Sequence, residues 1–246
     1  SKAESGGLKS GFSTPTGLHY QVATKVGPIA FLFPGQGAQT VNMGSHVAQT
    51  FPQSMEVWDF SADLDRHTGS NPLHKVVFPK PVFTEETRKE QQAQLTKTQW
   101  AQPAIGVSSM ALLNVLEDLG LRADACAGHS YGELTALYYA QTFKAQHFIQ
   151  ASKKRGELMN EAAKLPGAMT AVKGSAKKLQ PLLDTWTASH GIDVVIANHN
   201  SPKQSVLSGT VQDIEKVEEL LSEAGLFGQR LGVATAFHSK VVAGSV

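Results

Sequence analysis

Cysteine, excess charge and long apolar runs are all scarce in this chain. Cys126 is the only cysteine among 246 residues, so no intrachain disulfide and no cysteine-based metal cluster is expected. We interpret it as a small buried hydrophobic residue in a reducing, cytoplasmic setting. The formal net charge of +1 gives no electrostatic reason to expect nucleic acid or a membrane surface as a partner. No apolar run is long enough to span a bilayer, so no membrane segment is predicted.

The stretch around Ser130 carries the strongest local signal. Gly128-His129-Ser130-Tyr131-Gly132 matches Gly-x-Ser-x-Gly, the pattern of a sharp strand-to-helix turn that exposes a serine hydroxyl. Residues Ala123–Ala127 before it are short and mostly apolar, and Glu133–Gln141 after it form a good helix with an acidic residue in the first turn. A glycine-bracketed turn with an incidental serine is the alternative. The flanking strand and helix favour Ser130 as a nucleophile.

The segments before this turn predict a mixed α/β arrangement. The continuous apolar run Ile29–Phe33 predicts a strand covered on both faces, and it ends at the glycine-rich loop 34–39. That loop lacks a complete phosphate-binding pattern, so we interpret it as the rim of an active site. The predicted helices that follow are Val41–Thr50, Pro52–Leu64, Thr84–Gln94 and Ile105–Leu119, the last opened by residues 100–104 and closed by Gly120.

After the predicted helix Ala145–Lys164 the pattern changes. Strands are expected at Ala168–Lys173, Ile192–Asn198, Gln204–Gly209 and Gly228–Thr235, with helices at Ala176–Ser189 and Val211–Ala224. This β-α-β-β-α-β order is that of a ferredoxin-like unit. We therefore predict a small domain inserted into the large one.

A serine needs a base within hydrogen-bond reach, and the residues alone do not single one out. Among nine histidines His238 is chosen because it follows the inserted domain, although a lone histidine is as readily structural. His129 adjoins the serine but points to the other side of a tight turn. Because no aspartate occupies an obvious third position, a dyad or a base oriented by a backbone carbonyl fits better than a triad.

Six motifs in order resemble a known family. The chain is similar to malonyl-CoA:acyl-carrier-protein transacylases and to the acyltransferase domains of polyketide and fatty acid synthases, from about Ile29 onward. Within this family, Tyr131 and Thr235 make the chain more similar to the acyltransferase domains of large iterative synthases, including the polyunsaturated fatty acid and enediyne types. The motifs are Phe33–Gln39, Gln102–Ala104, Gly128–Glu133, Arg155-Gly156 with Met159, Asn198–Pro202 and Ala236–Ser239.

The resemblance implies a role for each of eight residues. Ser130 is implied to be the acylated nucleophile and His238 its general base and acid. The backbone amides of Gln36 and Tyr131 are implied to form the oxyanion hole. Arg155 is implied to grip the malonyl carboxylate, although a basic cluster of this kind is otherwise a solvated helix face. The remaining acyl-group contacts are implied to be Gln102, His129 and Phe237, the last excluding an alpha-methyl branch.

The function implied is ping-pong transfer of a malonyl group from malonyl-CoA, by way of a seryl ester, to the phosphopantetheine thiol of an acyl carrier protein. No bound cofactor and no metal is implied, and other domains of a multidomain synthase are expected partners. Two alternatives remain open. One is a serine hydrolase or editing acyltransferase that releases acyl groups to water, and the other is a non-catalytic docking module of a large synthase.

The expected fold is an α/β-hydrolase-like large domain with a parallel sheet and an inserted ferredoxin-like small domain. Residues 1–26 are interpreted as a linker or the end of an excised piece, residues 27–165 and 236–246 as the large domain, and residues 166–235 as the small domain. In the family the chain continues well beyond the histidine. We therefore expect this sequence to be a fragment, or a domain completed by further residues.

Overall fold

The computed structural model describes residues 11–21, 27–69, 71–162, 164, 166–233 and 235–245. Most of the predicted linker, residues 1–10 and 22–26, lies outside the described residues. Between those two stretches, β1 (Phe12–Ser13) and β2 (His19–Tyr20) pair in an antiparallel hairpin. This part of the predicted linker therefore has regular structure.

The larger part of the chain places helices around a parallel pair of strands. Phe33, at the end of the strand Ala30–Phe33, lies opposite Gly128, at the end of the strand Ala125–Gly128. Both strands therefore end at the same edge of the sheet. This arrangement confirms the predicted α/β class with a parallel sheet. The elements are β3 (Ala30–Phe33), α1 (Ser45–Thr50), α2 (Pro52–Thr68), α3 (Leu73–Val77), α4 (Glu85–Thr96), α5 (Thr98–Asp118), β4 (Ala125–Gly128), α6 (Gly132–Tyr139) and α7 (Ala145–Ala162).

The prediction that the first of these strands is covered on both faces was wrong. Phe33 is buried, but Leu32 is 77% exposed and lines an open apolar groove together with Leu112. In the described part of the chain the sheet consists of β3 and β4 alone. A continuous apolar run predicts that a strand is buried, but it does not identify the helix or strand that packs against it.

Two helix starts were also predicted wrongly. α1 begins at Ser45 instead of Val41, because Asn42 and Gly44 have φ of 65° and 72°, which a right-handed helix excludes. α5 begins at Thr98 instead of Ile105 and keeps Pro103 inside the helix. A proline lacks the amide that a helix interior uses, so the sequence favours a start after it. The buried packing of α5 overrides that local preference.

The remaining elements form a separate antiparallel sheet. They are β5 (Ala168–Val172), α8 (Ala176–His190), β6 (Val194–Ser201), β7 (Gln204–Gly209), α9 (Val211–Glu223) and β8 (Gly228–Arg230), followed by a 3-10 helix at Lys240–Ser245. The spatial strand order is β6-β7-β5-β8, which is the order of a ferredoxin-like unit. β8 ends at Arg230, earlier than the predicted Thr235. The domain boundaries given above stay a prediction.

Both helices of this sheet begin at a capping residue and bury one face. The Thr210 hydroxyl accepts from the amide of Asp213 at 3.1 Å, and the Ser175 hydroxyl accepts from the amide of Lys178 at 3.3 Å. Along α9 the buried side chains recur at helical spacing. Fully burying each large aliphatic side chain contributes about 1.5–3 kcal/mol. The core includes Leu179, Leu183, Leu207, Ile214 and Leu221.

No helix among the described residues is both long enough and apolar enough to cross a membrane.

Candidate active site

The chain turns sharply between β4 and α6, and Ser130 lies at the turn. Ser130 has φ of 52°, a left-handed conformation that few residues other than glycine adopt. A Cβ atom on Gly128 would lie 1.9 Å from the carbonyl carbon of Gly132, and one on Gly132 would lie 2.1 Å from the carbonyl oxygen of Phe33. No side chain fits at either position. The two glycines therefore permit the turn that holds the serine hydroxyl clear of the sheet.

His238 lies against this hydroxyl. Its Nε2 atom is 2.8 Å from Oγ of Ser130, although the two residues are 108 positions apart in the chain. His238 also has a positive φ, 58°. Two serine hydroxyls stabilise the segment that carries it. Ser208 donates to the carbonyl oxygen of Phe237 at 2.7 Å, and Ser239 donates to that of Ala236 at 2.7 Å.

The electrostatic surroundings keep the imidazole of His238 neutral. Burial of the ring lowers its pKa, and the positive charge of Arg155 lowers it further, against an opposing effect of Glu133. In the described part of the chain no carboxylate hydrogen-bonds to Nδ1. A neutral imidazole at this distance can accept the proton of Ser130.

Two backbone amides near the serine have no acceptor among the described residues. They belong to Gln36, in the loop after β3, and to Tyr131, the first residue after the serine. The loop packs directly on the turn, since a Cβ atom on Gly35 would lie 2.4 Å from the carbonyl oxygen of His129. The Gln36 side chain donates to the hydroxyl of Thr98 at 3.1 Å, which fixes the loop to α5. Free amides held in this way can stabilise a negative oxygen.

Arg155 and Gln102 both present polar atoms that lack partners in the described structure. The buried Nη1 of Arg155 and the buried Oε1 of Gln102 make no hydrogen bond. The amide nitrogen of Gln102 reaches only the sulfur of Met159, at 3.3 Å. Burial lowers the pKa of the Arg155 guanidinium, which still remains charged at physiological pH. Leaving such groups unpaired costs about 1–3 kcal/mol each, so their arrangement is typical of a site that binds a ligand.

The two remaining predicted acyl-group contacts, His129 and Phe237, have different surroundings. The His129 ring points toward β6, with Nε2 at 3.0 Å from Oδ1 of Asn200. Since an amide oxygen only accepts, Nε2 of His129 carries the proton. Phe237 is half-buried immediately before His238, and its carbonyl is the acceptor for Ser208.

Sequence reasoning missed four residues that hold this constellation in place. They are Thr98, Ser152, Asn200 and Ser208, which bond to Gln36, Tyr131, His129 and Phe237. Asn200 lies in one of the six motifs, although no role was inferred for it. Each bond joins residues at least 21 positions apart, so local spacing contains no signal for the other three.

Comparison with known proteins gives consistent results over nearly the whole chain. Residues 30–244 match the acyl transferase domain family. A malonyl CoA-acyl carrier protein transacylase of Bacillus subtilis is 36% identical over 219 residues, which cover 87% of this chain and 64% of the relative. The chain thus spans just under two thirds of the length of that relative.

Solved structures agree in fold. The acyltransferase domain from the second module of the salinomycin polyketide synthase has a TM-score of 0.78 and 31% identity, covering 95% of this chain and 51% of that one. A malonyl-transacylase in complex with a type II polyketide acyl-carrier protein has a TM-score of 0.74 and 28% identity, covering 88% of this chain and 66% of that one. Sequence, topology and the strand-turn-helix around Ser130 lead to one assignment. The chain belongs to the acyl transferase domain family.

Proposed function

We propose that this chain transfers a malonyl group from malonyl-CoA, through an ester on Ser130, to the phosphopantetheine thiol of an acyl carrier protein. The observation that carries the proposal is the 2.8 Å contact between Ser130 and His238 near Arg155, whose buried Nη1 has no hydrogen-bond partner in the described structure. A nucleophile paired with a base supports acyl transfer, and a fixed cation beside them favours an acyl group that carries a free carboxylate.

In the first half-reaction Oγ of Ser130 attacks the thioester carbonyl carbon of malonyl-CoA. His238 takes the hydroxyl proton at Nε2, and the amides of Gln36 and Tyr131 donate to the negative oxygen that forms. When the carbon–sulfur bond breaks, the same proton passes from His238 to the departing sulfur. The products are a malonyl ester of Ser130 and free CoA.

The second half-reaction repeats these steps with a different thiol. His238 takes the proton of the carrier's phosphopantetheine thiol, and the sulfur attacks the ester carbonyl of malonyl-Ser130. Ser130 leaves with the proton returned by His238. Water attacking the same ester would release malonate, so efficient transfer requires the thiol to reach the ester faster than water does.

Arg155 and Gln102 account for the choice of acyl group. A planar guanidinium donates two parallel hydrogen bonds to a carboxylate, an arrangement that a neutral acyl group such as acetyl cannot use. Binding malonyl would satisfy the buried Nη1 of Arg155, which has no partner in the described structure. Phe237 and His129 are proposed as further contacts, with the ring of Phe237 limiting space for an alpha-methyl branch.

The related proteins support the carrier as acceptor. Relatives named as transacylases act on an acyl carrier protein, and one similar structure contains that partner. Others are domains of polyketide synthases, which supports a multidomain, cytoplasmic setting for this chain. No bound cofactor takes part in the proposed cycle, because serine, histidine and backbone amides supply its chemistry.

Mass spectrometry of the intact protein tests the proposal. After mixing with malonyl-CoA, we expect one malonyl adduct on the parent and none on Ser130→Ala. The His238→Ala variant should acquire the adduct far more slowly. An adduct that also forms on Ser130→Ala would contradict the proposed nucleophile. A parent that never acquires the adduct would contradict the proposed function.

A further inference from the structure

A buried ion pair ties α7 to α2. Asp65, on α2, is 0% exposed, and its Oδ1 pairs with Nζ of Lys153 on α7, whose side chain is 21% exposed. The proposed mechanism uses neither residue. A buried pair of this kind contributes little net stability, because removing both charges from water costs about as much as their attraction returns. The pair therefore requires an explanation other than stability.

The second oxygen of the same carboxylate holds a third helix. Oδ2 of Asp65 accepts from the backbone amide of Leu73, the first residue of α3, at 3.0 Å. One carboxylate thus connects α2, α3 and α7. Burial lowers the pKa of the Lys153 ammonium, a shift that the neighbouring Glu157 opposes. Because water reaches the carboxylate poorly, separating the two charges is costly, and the pair favours one placement of α7 against α2.

A second contact fixes α7 three residues later. A Cβ atom on Gly156 would lie 2.9 Å from the carbonyl oxygen of Thr98 and 3.1 Å from Cα of Gln99, at the start of α5. Since residues three apart share one face of a helix, Gly156 and Lys153 lie on the same side of α7. That side packs on α5 at one point and is tied to α2 at the other.

Arg155 lies on the other side of α7. Successive residues of an α-helix are about 100° apart, so Arg155 is about 200° around the axis from Lys153. Met159, four residues after Arg155, shares its face, and its sulfur lies 3.3 Å from the amide nitrogen of Gln102. The anchored side of α7 and the side that presents Arg155 are thus opposed, and a shift or rotation at the anchor moves the guanidinium.

We propose that Lys153 and Asp65 are positioning residues for Arg155. Their ion pair fixes the rotation and the height of α7, and through it the distance between the guanidinium and Ser130. Neither residue touches the acyl group, so both act through Arg155. This inference rests on the proposed malonyl transfer, because the carboxylate of malonyl is the group that the guanidinium would bind.

The test measures acylation of Ser130 by malonyl-CoA and by acetyl-CoA. Lys153→Met and Asp65→Asn each break the ion pair, and each should lower the malonyl-to-acetyl ratio of kcat/KM about three- to thirtyfold. This loss is smaller than removal of the guanidinium would give, because a displaced Arg155 still attracts the carboxylate. Lys154→Met is the matched control and should leave the ratio unchanged, since its side chain is 68% exposed on the same helix.

A double variant separates positioning from stability. Each single variant leaves a charge without its partner and should unfold at a lower temperature, whereas Asp65→Asn combined with Lys153→Met leaves neither charge and should recover much of that loss. The asparagine oxygen can still accept from the Leu73 amide. We expect the ratio of the double variant to stay low although its stability returns. A double variant with the parental ratio would overturn the inference, because stability alone would then explain the effect of the pair.

Combination with Arg155→Ala tests the route of the effect. Because Lys153 acts through the guanidinium, Lys153→Met should lower the ratio no further once Arg155 is replaced by alanine. A further fall of the same size in that background would overturn the inference. Where a single variant does not fold, the double variant without either charge decides the question. A parent that acquires neither acyl group would instead contradict the proposed function itself.

Discussion

Replacing Arg155 with alanine isolates the interaction that would define the acyl group. In the described structure this guanidinium has a buried nitrogen with no partner, and its charge lies close enough to His238 to lower the pKa of that ring. Arg155→Ala removes the partner of the malonyl carboxylate and leaves the Ser130–His238 contact unchanged. We therefore expect a loss that depends on the charge of the acyl group.

The magnitude follows from the energy of charged hydrogen bonds. One hydrogen bond to a charged group contributes about 1.5–3 kcal/mol, so losing even one of the two proposed bonds corresponds to about a 10- to 150-fold decrease in kcat/KM for malonyl-CoA. Acetyl-CoA has no carboxylate, so its kcat/KM should change by less than about threefold on the same reasoning. The ratio of the two values is the informative quantity.

The assay measures acyl-enzyme formation by quenched-flow mass spectrometry with each thioester. Arg155→Lys keeps the charge but not the planar fork of donors, and should recover only part of the malonyl rate. Lys154→Ala serves as the matched control, because the neighbouring Lys154 side chain is 68% exposed and should contribute little. Equal losses for malonyl and acetyl in Arg155→Ala would refute the carboxylate-binding role.

Three further predictions concern the base, its supporting segment and the core. Because burial and Arg155 lower the pKa of His238, the acylation rate should rise with pH along a curve whose midpoint lies below 6.5, and Arg155→Ala should move that midpoint upward. Ser208→Ala should slow malonyl and acetyl loading alike, by about two- to tenfold, since it removes the hydrogen bond to the Phe237 carbonyl. Leu183→Ala, at a side chain only 2% exposed, should lower the free energy of unfolding in urea by about 2–5 kcal/mol.

Each of these predictions has an outcome that contradicts it. A pH midpoint above 6.5 would mean that the ring of His238 is not held neutral by its surroundings. A loss in Ser208→Ala that affects malonyl alone would mean that Ser208 acts on acyl selectivity and not on the segment that carries the base. An unfolding free energy unchanged by Leu183→Ala would mean that the small sheet does not take part in the measured transition.

The turn around Ser130 was predictable because its causes are local. Two glycines, a short apolar approach and a good helix after the serine are all visible within about a dozen residues. The structure adds the reason, since neither Gly128 nor Gly132 has space for a side chain. The capped helices and the strand order of the small sheet were predictable on the same kind of evidence.

The contacts that complete the site could not be derived from spacing. His238 reaches Ser130 across 108 residues. Its place after the inserted domain made it the chosen histidine, and the resemblance to known acyltransferases supported that choice. Two predictions were wrong for the opposite reason: that the strand containing Leu32 is covered on both faces, and that α5 begins after Pro103. There the local pattern was clear, but tertiary packing decided the outcome. The similarity to iterative synthases that Tyr131 indicates stays a prediction.

The most direct test of the account follows the malonyl ester after it has formed. Parent protein carrying malonyl on Ser130, freed of excess malonyl-CoA, is mixed with a carrier protein that bears phosphopantetheine, and in parallel with buffer alone. The account predicts that malonyl appears on the carrier much faster than malonate appears in buffer, and that a carrier lacking phosphopantetheine accepts none. Release of malonate at the same rate with and without the carrier would contradict transfer and indicate a hydrolase.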